Sequence, residues 1–294
     1  MCLALHAMVA ARDVVRENIV MTASTAAAAA AEDAMALNPL RAGAARVERA
    51  DAVLTDQGPD PMLRTVARLR TTDSRAADAL VADARAWFGQ RGPVGFTWWL
   101  GPSTTPTDVD RAIRSTSGRV FTTIAATAMV LDHEPSITRS GIEIREVTDY
   151  DDFAAALLIV SQAEDRTAGD REALCARLPS MWKVARSETE TRKSFLALVD
   201  GHPASAGSLA ITASGHGLLA GAATVRSSRA QGCYAALVAH RWRVAKALSL
   251  DALIVQASVM SRPILQNLGF RSTAELIAIR DTPAQKKPTT STNG

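Results

Sequence analysis

Arg229-Ala230-Gln231-Gly232-Cys233-Tyr234 sets a guanidinium, an amide and a glycine immediately ahead of an apolar pattern with helical spacing (Tyr234, Leu237, Val238, Trp242, Ala245, Leu248). A helix start offers backbone N–H groups without partners and a positive dipole end, which suit a phosphate. Arg226 and Arg229 add charge to that loop. The main-chain amides of Ala230, Gln231, Gly232, Cys233, Tyr234 and Ala235 are therefore candidate phosphate ligands. Just upstream, Leu218–Val225 is apolar on both faces, as a buried strand should be. Its middle, Ala220-Gly221-Ala222-Ala223, carries almost no side chain, so another backbone or a ligand can approach closely. His216, at the entrance to this strand, has an intrinsic pKa suited to a base; a turn histidine without a catalytic task is the alternative.

Other chemistries find less support. The five histidines show no HExxH or paired ligand spacing, and Cys2, Cys175 and Cys233 are odd in number and far apart. Neither a disulfide framework nor a metal site is expected, and a reducing, cytoplasmic setting fits. Cys233 stands where a helix start would favour a thiolate, or is simply a small loop residue. A net charge of +3 without a dense Lys/Arg run, and 4% aromatic residues, argue against a nucleic-acid partner. No stretch approaches the ~18 apolar residues of a membrane span, and residues 1–20 lack the basic start and apolar run of a signal peptide.

The 294 residues suffice for two modest domains. Residues 1–45 read as a poorly ordered, alanine-rich lead-in, and 46–136 as a small mixed α/β domain. In the latter, Arg46–Leu54 and Pro61–Leu69 look helical. Thr72, Asp73 or Ser74 caps a helix over Arg75–Phe88, followed by a strand (Val94–Leu100), a short helix (Asp108–Arg114) and a strand (Ile124–Leu131). Trp98 and Trp99 point to opposite faces of their strand; one borders a pocket, or both are core. His133-Glu134-Pro135-Ser136 reads as a linker. Residues 141–281 then read as strand (Ile142–Val147), helix (Tyr150–Ser161), helix (Asp165–Ala185), strands Phe195–Val199 and Ala206–Ala213, the bare strand, its loop and helix, strand (Leu253–Ala257), short helix (Ser261–Leu268) and strand (Ala274–Ile279). Residues 282–294 have the composition of a disordered tail.

The order of small strand, basic Gly loop, helix, strand, helix, Leu268-Gly269-Phe270 and strand resembles the GNAT acyltransferase superfamily. Arg229-x-x-Gly232-x-Tyr234 is similar to its acyl-CoA loop. The resemblance spans roughly Gly141–Asp281 and implies an α/β fold with a mixed sheet, a GNAT domain preceded by a smaller mixed α/β half that reads as a degenerate GNAT-like copy. It further implies acetyl-CoA as co-substrate, an N-acyltransferase reaction by direct attack of a small-molecule or protein amine, and pantetheine held along Ala223, Thr224 and Val225. An amide near Ala223–Val225 would polarise the thioester carbonyl.

Departures from the family pattern matter here. Many members carry a Glu on the strand before the loop; this strand has none. Many place a tyrosine four residues before the Gly of LGF, a position held here by Leu265. Tyr234 stands where Gly or Ala is usual, and the loop from Val225 to Arg229 is about one residue short. Ser258 and Ser261 fall near the expected leaving group, which either hydroxyl or a bound water would protonate, and His216 is the candidate base. The rival reading is a non-catalytic acyl-CoA-binding module.

Overall fold

The computed structural model describes residues 25–136, 141–163 and 167–284. They form two compact units, one of residues 25–42 with Thr127–Ala274 and the other of Gly43–Ala126 with the chain from Glu275 on. The expectations for residues 1–24, Cys2 included, and for 285–294 lie outside the described residues. Within 25–42 the chain is not a loose lead-in. Residues 25–32 are helical, and α1 (Ala34–Leu37) follows a turn at Asp33. Ala27, Ala30, Ala31, Ala34 and Ala36 are buried. The Gln256 side chain donates to the Glu32 carbonyl at 3.0 Å, and Arg192 donates to Asn38 at 2.8 Å. Alanine seats a helix by close approach, so no large apolar stripe announces it.

The smaller unit opens with β1 (Ala45–Glu48), β2 (Val53–Asp56) and β3 (Arg64–Ala67), antiparallel neighbours in the register Val47–Leu54–Val66. These strands replace the helices expected over Arg46–Leu54 and Pro61–Leu69. Each is four residues long, and β2 and β3 are buried on both faces, which removes the period-2 signal. Arg64 is itself buried, donating to the Phe88 and Val94 carbonyls at 2.9 Å with Asp56 3.4 Å away. Helix α2 (Ser74–Gly89) crosses from β3 to the parallel strand β4 (Phe96–Leu100), Thr65 pairing with Thr97. The Asp73 carboxylate caps α2 by accepting the Ala76 N–H at 2.8 Å. Trp98 and Trp99 are both buried, and Trp98 Nε1 donates to Asp281, a fully buried carboxylate paired with Arg85 and Arg119. After α3 (Val109–Arg114), β5 (Arg119–Leu131) carries residues of both units, as β11 does later. The division therefore falls inside strands, at Ala126/Thr127 and Ala274/Glu275, rather than at His133–Ser136 or near Asp281.

The larger unit contains β6 (Glu143–Glu146), α4 (Tyr150–Ala163), α5 (Ala168–Ala185), β7 (Arg192–Val199), β8 (His202–Ile211), β9 (Gly217–Thr224), α6 (Cys233–Ala247), β10 (Leu253–Ser258), α7 (Arg262–Asn267) and β11 (Arg271–Pro283). Strands β6 to β9 form an antiparallel meander, and α6 carries the chain over to β10, parallel to β9. A core of Phe195, Leu209, Leu219, Leu237, Trp242 and Leu253 fills the space under α6, and Ala156 and Ile159 of α4 cover Leu196, Leu198 and Ala206 on the opposite face. Both units thus run through an antiparallel meander into a parallel strand–helix–strand crossover. Among the described residues no helix is long and apolar enough to cross a membrane, and no group of three His, Cys, Asp or Glu could hold a metal ion.

Candidate functional site

Strands β9 and β10 pair at only two positions, Gly217 with Leu253 and Leu218 with Ile254. Beyond them the two strands part. On its other side β9 stays joined to β8 as far as Thr224, opposite Ser205, but the register slips between Ala206–Ala223 and Ser208–Ala220. The slip places one extra residue on β9, a bulge at Gly221-Ala222 opposite Gly207. Gly221 has φ +57°, in the left-handed region that glycine adopts most readily. Both bulge residues are exposed although they lie in the body of a sheet. The side-chain-poor run therefore becomes bare backbone beside the opening between β9 and β10.

The chain then makes a 3₁₀ turn, Arg226–Ser228, and enters α6 through two left-handed residues, Ala230 (φ +62°) and Gly232 (φ +93°). The turn is braced from within. Gln231 donates to the Ser227 carbonyl at 3.1 Å and Arg229 Nε reaches the Thr224 carbonyl at 3.4 Å. Cys233 is buried with its thiol 3.9 Å from the Ser228 carbonyl, and burial pushes its pKa up; it is a packed neutral thiol and not a stabilised thiolate. The N-cap of α6 is Gly232, which has no side chain to offer. The first helical backbone bond runs from Ala236 N–H to the Gly232 carbonyl at 2.9 Å, so the amides of Cys233, Tyr234 and Ala235 precede the intrahelical ladder. In the smaller unit the equivalent helix start is filled by the Asp73 carboxylate.

Beneath the bulge lies a residue that periodicity alone did not single out. Arg241 is fully buried, donating from Nε to the Leu237 carbonyl and from Nη1 to the Ser208 carbonyl, both at 3.1 Å. Nη2 completes no hydrogen bond, and burial holds the guanidinium down to about 10. The Tyr234 hydroxyl couples to it electrostatically; burial raises this phenol while Arg241 opposes the shift. Tyr234 packs against the core and does not extend the loop. The sequence signal was present: Tyr234, Leu237, Val238, Arg241 and Ala245 share one helix face, so a cation sits inside the apolar stripe.

The candidate proton-transfer groups are placed unequally. Ser258 and Ser261 come together at the end of β10, their hydroxyls 3.1 Å apart, with each backbone N–H donating to the other's oxygen. They are occupied in closing a turn. His216 lies at the opposite end of β9, buried against Ser214 (3.1 Å), with its pKa lowered by burial against the opposing pull of Asp251 and Ser214. Eight strand residues, roughly 26 Å, separate it from the loop, and the fold does not bring it to the site. The Val225 N–H, a candidate to polarise a carbonyl, is donated to Ala204 at 3.0 Å, and Ser205 Oγ ties down the Ala223 carbonyl at 2.7 Å. Leu265 is buried in the core.

No protein-family model and no curated protein matches the chain. Solved structures do. A GCN5-related N-acetyltransferase from Kribbella flavida aligns over 87% of this chain and 95% of its own, with a TM-score of 0.61 at 17% identity. A GCN5-related N-acetyltransferase from Sphaerobacter thermophilus aligns over 81% and 82%, with a TM-score of 0.53 at 16% identity. A tandem GNAT protein from the clavulanic acid biosynthesis pathway aligns over 80% and 79%, with a TM-score of 0.51 at 18% identity. The chain has the GNAT fold.

Proposed function

We propose that this chain is an acyl-CoA-dependent N-acyltransferase, with acetyl-CoA as donor and a small-molecule or protein amine as acceptor. The observation that carries this reading is the uncapped start of α6 at Gly232, set beside two parallel strands that part over a bulged backbone bearing nothing larger than a methyl group. Each part answers a part of the ligand. The amides of Cys233, Tyr234 and Ala235 suit the diphosphate, at ~1.5–3 kcal/mol for each charge-assisted contact. The gap along Gly221–Ala223 suits an extended pantetheine chain, and the bulge leaves room for the thioester. Arg226 and Arg229 contribute charge rather than geometry. The smaller unit repeats the crossover with Asp73 at its helix start, which repels a phosphate; we read it as a copy that holds no CoA. A cytoplasmic setting belongs to the same proposal.

Transfer requires a neutral amine to attack the thioester carbonyl, forming the amide bond as the carbon–sulfur bond breaks and the thiolate takes a proton. An aliphatic ammonium of pKa ~10.4 is ~4.6 kcal/mol from its neutral form at pH 7. With Leu265 buried and Ser258 and Ser261 engaged with each other, desolvation of the amine and a bound water are left to handle the proton. The same two observations favour a second reading, an acyl-CoA-binding module without turnover. Release of free CoA thiol from acetyl-CoA across a panel of amines, measured above intrinsic hydrolysis, separates the two. Binding of acetyl-CoA with no amine-dependent thiol supports the module.

A further inference from the structure

We propose that a hollow at the foot of α4 and α5 is a separate binding site for a small carboxylate carried on a flat aromatic body. The cavity measures about 310 Å³, near the lower end of small-molecule sites. Phe153 and Trp182 line it with their ring centroids 5.3 Å apart and tilted by 44°, and Val147 and Ala185 complete an apolar wall.

The charges around it are not balanced. Lys193 is paired with Glu146 at 2.8 Å, while Glu188 accepts the Ala42 N–H at 2.9 Å and lies 3.9 Å from Arg192. Arg186, exposed at the rim, has no side-chain hydrogen-bond or ion-pair partner among the described residues. Burial and the neighbouring Arg41 hold the Arg192 guanidinium down to about 10, with Glu188 offsetting part of this. The lining therefore carries surplus positive charge beside two aromatic rings, which attracts an anion and repels an ammonium. That preference distinguishes this hollow from a site for the acceptor amine.

Its position separates it from the acyl-CoA site. Lys193 pairs with Leu209 and Leu209 with Leu219, so the hollow is level with the start of β9. The loop follows Thr224, roughly 16 Å further along the strand and two strands away. The proposal does not depend on the acyl-CoA reading.

Calorimetric titration of the whole chain with indole-3-acetate, indole-3-acetamide and tryptamine tests it, since the three share a ring and differ in charge. Indole-3-acetate is expected to bind at least about tenfold more tightly than either of the others. Arg186→Gln should weaken indole-3-acetate alone by about tenfold, and Arg186→Lys should retain most of its affinity. Trp182→Ala should weaken all three, and Gly232→Glu should leave indole-3-acetate binding unchanged. Equal affinities for the three probes, no binding of indole-3-acetate at millimolar concentration, or an Arg186→Gln protein with wild-type melting and unchanged affinity would overturn the proposal.

Discussion

A β-carbon built on Gly207 would lie 3.0 Å from Arg241 Nη1 and 3.2 Å from Cζ, with the Ala222 methyl 3.4 Å away. Glycine at 207 and the buried guanidinium are therefore one arrangement. The cation occupies the space a side chain would take, and from there Nη1 holds the Ser208 carbonyl next to the bulge.

Gly207→Ala should overpack this point. Arg241 is fixed by the Leu237 and Ser208 carbonyls and cannot retreat, so a loss of ~1–3 kcal/mol is expected. That corresponds to a fall of several degrees in melting temperature, with weaker CoA binding as the bulge shifts. Gly89→Ala is the control. Nothing lies within 4 Å of its added carbon, and alanine favours the helix, so melting should hold or rise slightly.

Ala222→Leu tests the opening between the strands. The residue is exposed, so the folded state should change by no more than ~0.5 kcal/mol in thermal melting. An isobutyl group over the bulge should nevertheless lower CoA affinity by about tenfold or more, a loss of ~1.4 kcal/mol in binding. Parallel melting and titration of one preparation separate the two effects.

Stability should also depend on histidine protonation. Burial lowers the pKa of His216 against Asp251 and Ser214, and of His240, whose ring sits 4.9 Å from Phe195, with Arg243 lowering it further. A depressed folded pKa means that the folded state prefers the neutral ring. The contribution is present above the unfolded value of ~6.5 and is lost as pH falls through the folded values. Melting temperatures should therefore drop below about pH 6.5, and His216→Gln with His240→Gln should flatten that limb. His216→Gln alone should leave acyl transfer unchanged.

The crossover from β9 to β10 was legible because its parts are local: small residues, a basic glycine loop, and an apolar helical stripe that ends near Leu248. The helix over Ser74–Gly89 announced itself in the same way, through Asp73 and a regular apolar face. What escaped was non-local. Residues 45–67 form three four-residue strands, two of them buried on both faces by neighbours distant in sequence, so helix-forming Ala, Arg and Leu dominate the local pattern. The alanine helix ahead of Asn38 is held by Gln256 and Arg192, more than 150 residues away. At the site, Gly221 signalled close approach but not the register slip, because a bulge is defined only against β8. Ser258 and Ser261 are adjacent in the sequence pattern, yet only coordinates show that each satisfies the other.

Isothermal titration of the intact chain with CoA and acetyl-CoA, repeated with Gly232→Glu and Gly232→Asn, tests the central claim most directly. Asparagine tolerates the left-handed backbone at φ +93° better than other side chains and carries no charge, whereas glutamate sets an anion at the start of α6. The account predicts saturable heat for the wild type, partial retention in Gly232→Asn and loss of detectable binding in Gly232→Glu. Absence of heat with folded wild-type protein, or wild-type affinity in Gly232→Glu, would contradict it.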